Sequence, residues 1–282
     1  MAKRKRLEEL TITDDFIFGA VMQNPARCKK LLEMVLGMPI REIRYPELQK
    51  SMKLRYESRG IRLDVYVEDD QNTVYNIEIQ TSSNKNLPRR TRYYRGMIDL
   101  NVLQKGMGYK ELKKSFVIFF CTYDPFGSGR YVYTFESRCV EELNLQLGDE
   151  SRIIVLNTKG YKGEISRELR ELLRYMDGAE PDSEYTKNLH RDVEEVKESK
   201  EWRREYMVMM ERDRNNIDLG KYAEKVAIIR GFGSESVDAK DKLAKTLRIQ
   251  PQTVTLILNR IDAHPDWDDE EVAEDILEEE EA

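Results

Sequence analysis

Three polar residues on two short alternating segments are the part of this chain best suited to chemistry. Asp64 lies in Ile61-Arg62-Leu63-Asp64-Val65-Tyr66-Val67-Glu68, and Glu78 with Gln80 lies in Val74-Tyr75-Asn76-Ile77-Glu78-Ile79-Gln80. Apolar and polar residues alternate in the first segment, and Tyr75, Ile77 and Ile79 alternate with Val74, Asn76, Glu78 and Gln80 in the second, the period of a strand. The intervening Asp69-Asp70-Gln71-Asn72-Thr73 reads as a hairpin loop. If Glu68 lies opposite Val74, antiparallel register sets Asp64 opposite Glu78 on one face, with cross-strand Cβ atoms about 4.5–5.5 Å apart. That gap suits one shared divalent cation. Two facing carboxylates without a cation repel and lose hydration as the sheet packs. Oxygen ligands select a hard ion, magnesium or manganese. A solvated hairpin face is the other reading, because Asp and Glu are common on exposed strands. Spacing alone does not separate the two.

These residues belong to a longer pattern: Asp64, Glu78-x-Gln80, Arg92-Tyr93-Tyr94, then Gln104-Lys105-Gly106-x-Gly108-Tyr109. In this order they resemble the PD-(D/E)XK nuclease family transposases, relatives of the bacterial recombination-promoting nucleases. The resemblance covers roughly residues 10 to 160, from Thr13-Asp14-Asp15-Phe16-Ile17-Phe18 to Ile153-Ile154-Val155-Leu156. It implies an α/β fold with a restriction-endonuclease-like mixed β-sheet flanked by helices, and a divalent-metal endonuclease that cuts DNA in recombination or mobile elements. Carried over by position, Asp64 and Glu78 become ligands of Mg2+ or Mn2+, and Gln80 stands where the wider superfamily usually has lysine. An amide only hydrogen-bonds and carries no charge. Water activation then falls to the metal, with Gln80 holding the water in line. The same departure raises the alternative of a nuclease-fold DNA-binding or assembly protein that no longer cuts.

The elements that must position this hairpin are readable on either side of it. A helix begins after Thr13, with Asp14 and Asp15 in its first turn, where caps and negative charge are favourable. In the superfamily a first-helix acid sometimes joins the site, so these two are read as caps or as a third ligand. Pro25 opens a second helix that stops at Gly37, and 43 to 57 is extended, with Lys53 and Arg55 flanking Leu54. Leu87 to Lys105 is the helix after the hairpin. Its Arg89, Arg92 and Tyr93 share a face that could grip DNA phosphates, or else form a solvated surface or pair with the site's carboxylates. Three strands follow, Ser115 to Cys121, Arg130 to Phe135 and Arg152 to Asn157, the first almost wholly apolar and therefore central. The turn Asp124 to Gly129 joins the first two. Cys121 reads as a buried small hydrophobe.

The chain divides into a nuclease-like domain over 1–180, a long helical segment over 181–235, a small unit over 236–265 and an acidic, disordered tail over 266–282. A charged helix from about Tyr185 to Asn215 carries Leu189, Val193, Val196, Trp202, Tyr206, Met209 and Met210 as a narrow stripe. That stripe suits packing on the nuclease core or a two-fold homodimer seam. Residues 237 to 261 resemble a helix-turn-helix whose Gln252, Thr253, Thr255, Asn259 and Arg260 face outward, although two packed helices with a tight turn are common elsewhere.

Charge follows the same division. Residues 1–180 hold 31 Lys and Arg against 26 Asp and Glu, while residues 181–282 hold 16 against 27. The basic front suits a polyanion and the acidic rear repels one. Three scattered cysteines and two histidines, His190 and His264, argue against disulfides, thiolate zinc and histidine catalysis in the sheet domain. With no apolar run near the ~20 residues of a membrane span and no signal-like start, a cytoplasmic location is expected.

Overall fold

The computed structural model describes residues 5–48, 51–52, 61–62, 64–83, 86–103, 106–232 and 237–281. Lys53, Leu54, Arg55, Leu63, Gln104 and Lys105, used in the reading above, lie outside the described residues. The chain forms two compact units, Met1–Arg203 and Arg204–Ala282.

The first unit is built on a mixed sheet. Helices α1 (Asp15–Met22) and α2 (Pro25–Leu36) precede β1 (Ile43–Leu48), β2 (Ser51–Met52), β3 (Ile61–Arg62), β4 (Val65–Asp69) and β5 (Val74–Gln80). After α3 (Leu87–Val102) come β6 (Ser115–Cys121), β7 (Val132–Phe135) and β8 (Ser151–Asn157). Six strands lie in the order β1-β4-β5-β6-β8-β7, and β2 pairs with β3 separately. Strands β5, β6 and β8 are parallel, whereas β1, β4 and β7 join antiparallel. β6 is wholly buried, as its apolar run requires, and Cys121 is buried with a thiol pKa pushed up to about 12 by that burial.

The hairpin register is the expected one. Glu68 pairs with Val74, Val67 with Tyr75, Tyr66 with Asn76 and Val65 with Ile77. The loop is closed by Asp69, whose carboxylate accepts from the Gln71 and Thr73 amides and from the Tyr75 hydroxyl. Asn72 takes the left-handed conformation, φ 61°, that a tight turn assigns to Asn or Gly.

Both faces of the sheet are covered, so β5 is buried at every position. On one face α3 lays Leu87, Tyr94, Met97 and Ile98 against Tyr66, Val74, Val117, Phe119, Cys121 and Val155. On the other, Phe18 of α1 meets Phe120 with ring centroids 6.3 Å apart. Helix α2 packs on β1 and on α1. Asn24 caps α2 through the Ala26 and Arg27 amides, and Gly37 ends it at φ 65°.

The charged helix expected from Tyr185 to Asn215 is two helices, α5 (Glu184–Glu198) and α6 (Lys200–Phe232), following α4 (Arg167–Met176). Ser199 is extended at the break, and its hydroxyl accepts from the Trp202 amide at 3.3 Å. A serine that caps a new helix competes with continuation of the old one. The first part of the expected dimer seam packs within the chain: Tyr185, Leu189, Val193 and Val196 are buried, and α5 packs on α1 and α4. Trp202 stands edge-on to Phe16, ring centroids 5.8 Å apart. The stripe as far as Trp202 is therefore a packing face of the first unit, whereas Tyr206, Met209 and Met210, half-buried, belong to the second. For the same reason this unit runs to Arg203, beyond the break at Gly178–Ser183.

The second unit gathers the later part of α6 with α7 (Val237–Leu247), α8 (Pro251–Ala263) and α9 (Asp269–Glu281). Its core is Val226, Ile229, Ala244, Val254, Ile257, Val272, Ala273 and Ile276. Arg248, at φ 55°, makes the tight turn between α7 and α8. Of the outward residues of α8, Gln252 and Asn259 are exposed, whereas Arg260 Nε lies 2.6 Å from Asp275. The acidic end is a helix where a disordered tail was expected. Val272, Ala273 and Ile276 share one face and are buried, and Asp268 and Glu271 exchange backbone hydrogen bonds as a capping box. Among the described residues no helix is long and apolar enough to cross a membrane.

Candidate active site

Asp64 sits in the bend that leads into β4, one step beyond the Val65–Ile77 pair, and so faces Glu78 across the strands. The two are clasped reciprocally. Asp64 Oδ2 accepts from the Ile79 amide at 2.8 Å, and the Asp64 amide donates to Glu78 Oε1 at 3.2 Å. Asp64, Glu78 and Gln80 are 7, 2 and 6% exposed, so the solvated-face reading of this hairpin does not hold. The reason is tertiary: α3 covers the face that carries them.

Burial sets the electrostatics. Glu78 is pushed well above the ordinary carboxylate range, first by desolvation and then by the negative charge of Asp64. The Asp64 amide, the Asn76 side chain and Arg90 act in the opposite direction without prevailing. Asn76, two residues earlier on the same face, is fully buried, and its side-chain N and O make no hydrogen bond of good geometry. Buried polar atoms of that kind are rare and costly.

Gln80 is held at both ends of its amide. Nε2 donates to the Ser82 carbonyl at 2.7 Å and to Ser82 Oγ at 3.2 Å, while Oε1 accepts from Nη1 of Arg90. The other guanidinium nitrogen of Arg90 donates to Tyr94 Oη at 2.9 Å and lies 3.8 Å from Glu78 Oε2. Its plane sits over the rings of Tyr94 and Phe119, 5.3 and 5.6 Å from their centroids.

Arg90 is the residue that sequence reasoning missed. The face chosen for α3, Arg89, Arg92 and Tyr93, is its exposed side. The signal lay in the helical period. Leu87, Thr91, Tyr94 and Ile98 are buried, and Arg90 stands three residues after Leu87 and four before Tyr94, on the inner face. Asp14, weighed as a cap or a third ligand, makes no side-chain cap to its helix. Its carboxylate accepts from the Thr11 amide at 2.7 Å and from Lys5 at 2.9 Å.

The donor set suits a hard divalent ion. Two carboxylates already face each other out of water, and a positive charge between them would offset the desolvation and the repulsion that raise the Glu78 pKa. Among the described residues no group of three or more His, Cys, Asp or Glu side chains is gathered. Two carboxylates are nonetheless a usual protein contribution to magnesium, which keeps several waters and takes further oxygens from phosphate.

A mixed sheet flanked by helices, with an Asp–Glu pair facing across its antiparallel hairpin and a Gln two residues on, defines a nuclease-fold protein. Over residues 15–224 the chain matches the family described as PD-(D/E)XK nuclease family transposase, and it belongs to that family. The match runs well past the 10–160 stretch over which the motifs lie. No curated protein and no solved structure matches the chain.

Proposed function

We propose that this protein is a divalent-metal-dependent endonuclease that hydrolyses DNA phosphodiester bonds, with Asp64 and Glu78 holding magnesium or manganese and Gln80 orienting the attacking water. The observation that carries the reading is the buried, reciprocally clasped Asp64–Glu78 pair, which costs free energy in the absence of a cation. A bound divalent ion would lower the pKa of water and offset charge on the phosphate oxygens. Gln80 cannot take a proton, but its carbonyl oxygen has a second lone pair besides the one used by Arg90, and it can accept from a water and fix its direction. Arg89 and Arg92 are exposed on α3 and are proposed contacts to flanking phosphates. The family membership supports our proposal of a role in recombination or mobile elements, on cytoplasmic DNA.

Plasmid DNA incubated with the purified protein and magnesium should be nicked, and nicking should vanish with chelator and in Asp64→Ala. Cutting that persists unchanged in Asp64→Ala would remove this site from the reaction.

One observation favours a second reading, a nuclease fold that binds DNA without cutting it. The sheet position of the superfamily lysine is a neutral amide whose N–H groups are spent on Ser82. Calorimetric titration with Mn2+ separates the two: saturable binding that is lost in Glu78→Gln supports an active site, and its absence in the wild type supports the inactive scaffold.

A further inference from the structure

We infer that Arg90 is the fixed positive charge of this site, presented from α3 instead of from the strand, and that it binds a non-bridging oxygen of the scissile phosphate. The inference rests on the endonuclease reading for its chemistry, but its geometry stands on the structure alone.

A lysine at position 80 would place a cation two residues beyond Glu78, and the chain has Gln80 there. The guanidinium of Arg90 reaches the same place from the opposite layer. One nitrogen is bound to Gln80 Oε1, and the other lies 3.8 Å from Glu78 Oε2. A side chain that touches both the amide and the second carboxylate occupies the place where a strand lysine would end.

Three features fit this role better than that of a structural ion pair. The pairing with Glu78 is long for an Arg–carboxylate contact, which forms two short parallel bonds when the pair exists for its own sake. Arginine has five donors, and among the described residues Gln80 and Tyr94 take one each. Its side chain is also 31% exposed, whereas that of Glu78 is 3% exposed. The orientation is locked by Tyr94 Oη and by the two aromatic rings, so binding a phosphate requires little reorganisation. In the same contact Arg90 holds the Gln80 amide in one flip, Oε1 toward the guanidinium and Nε2 toward Ser82. It therefore also positions the group proposed to orient water.

The test moves the charge between layers in the full-length chain. DNA binding is read by fluorescence anisotropy in calcium, and cleavage separately in magnesium. Arg90→Gln should weaken duplex binding about ten-fold, as expected for one charge-assisted contact, and should lower the salt slope by about one. It should slow cleavage about 100-fold or more. Arg90→Lys, which keeps charge but not the fork, should fall between. The double variant Gln80→Lys with Arg90→Gln should regain much of both losses, because the cation returns from the strand side. Near-ultraviolet circular dichroism and melting of each variant exclude misfolding. A folded Arg90→Gln with unchanged affinity and salt slope overturns the assignment. So does a double variant that folds but recovers nothing, since the guanidinium then acts by packing on Tyr94 and Phe119. A wild type that cuts nothing, with the binding loss and its recovery as expected, would reject the endonuclease reading and leave Arg90 as the phosphate-binding charge.

Discussion

Two acidic regions of this chain look alike as sequence and behave oppositely as structure. In the first unit Asp64 and Glu78 face each other in a dry layer beneath α3, and Glu78 is pushed up in pKa. In the second unit the run from Asp266 onward is far denser in charge, yet four of its carboxylates act as caps or partners and others, such as Glu270 and Glu274, are exposed. Asp268 and Glu271 cap α9, Asp269 lies 2.7 Å from Arg230, and Asp275 lies 2.6 Å from Arg260. Acidic residues point to chemistry when the fold withholds water and the nearby counter-charge does not offset the burial, as Arg90 does not for Glu78, whereas their number says little. The dense run is an amphipathic helix, and the sparse pair is the candidate metal site.

The difference can be broken most sharply through pH. The folded-state pKa of Glu78 lies above its unfolded value, so between the two the native state binds more protons than the unfolded chain. Stability from this group is complete below about pH 4.5 and is lost as pH rises through the raised folded value. Metal-free Glu78→Gln should therefore melt above the wild type by a margin that widens with pH from 4.5 upward. Magnesium should raise the wild type and leave the variant unmoved. A margin constant across pH would mean that Glu78 is not held out of its charged form.

In the second unit the expected effects come from packing and capping. Ile276→Ala removes a fully buried side chain and should cost about 2–5 kcal/mol by denaturant unfolding. A cost below about 0.5 kcal/mol, the level of an exposed position, would return the acidic end to a disordered tail. Asp268→Ala, which removes half of the capping box, should cost about 1 kcal/mol and reduce helical signal. Glu274→Gln, on the exposed side of α9, should change stability by less than about 0.5 kcal/mol. An effect there as large as that of Glu78→Gln would erase the contrast between the two regions.

The sequence by itself determined what short-range rules control. Period-two alternation and a closed five-residue loop set the β4–β5 register, and with it the meeting of Asp64 and Glu78. Asn24, Pro25 and Gly37 bounded α2, and the apolar run from Ser115 to Cys121 marked a central strand. Tertiary structure decided what depends on which surfaces meet. Alternation cannot say whether the polar face of a strand is covered, so the burial that perturbs Glu78 became visible only once α3 lay on it. Arg89, Arg90 and Arg92 are equivalent in composition, and the way Leu87, Tyr94 and Ile98 dock turned Arg90 alone of the three toward Glu78 and Gln80. The stripe from Tyr185 to Trp202 suited a second chain or its own core equally well. Proximity of α1 and α4 in the folded unit settled it in favour of the core, because an intramolecular face closes without the entropy cost of association.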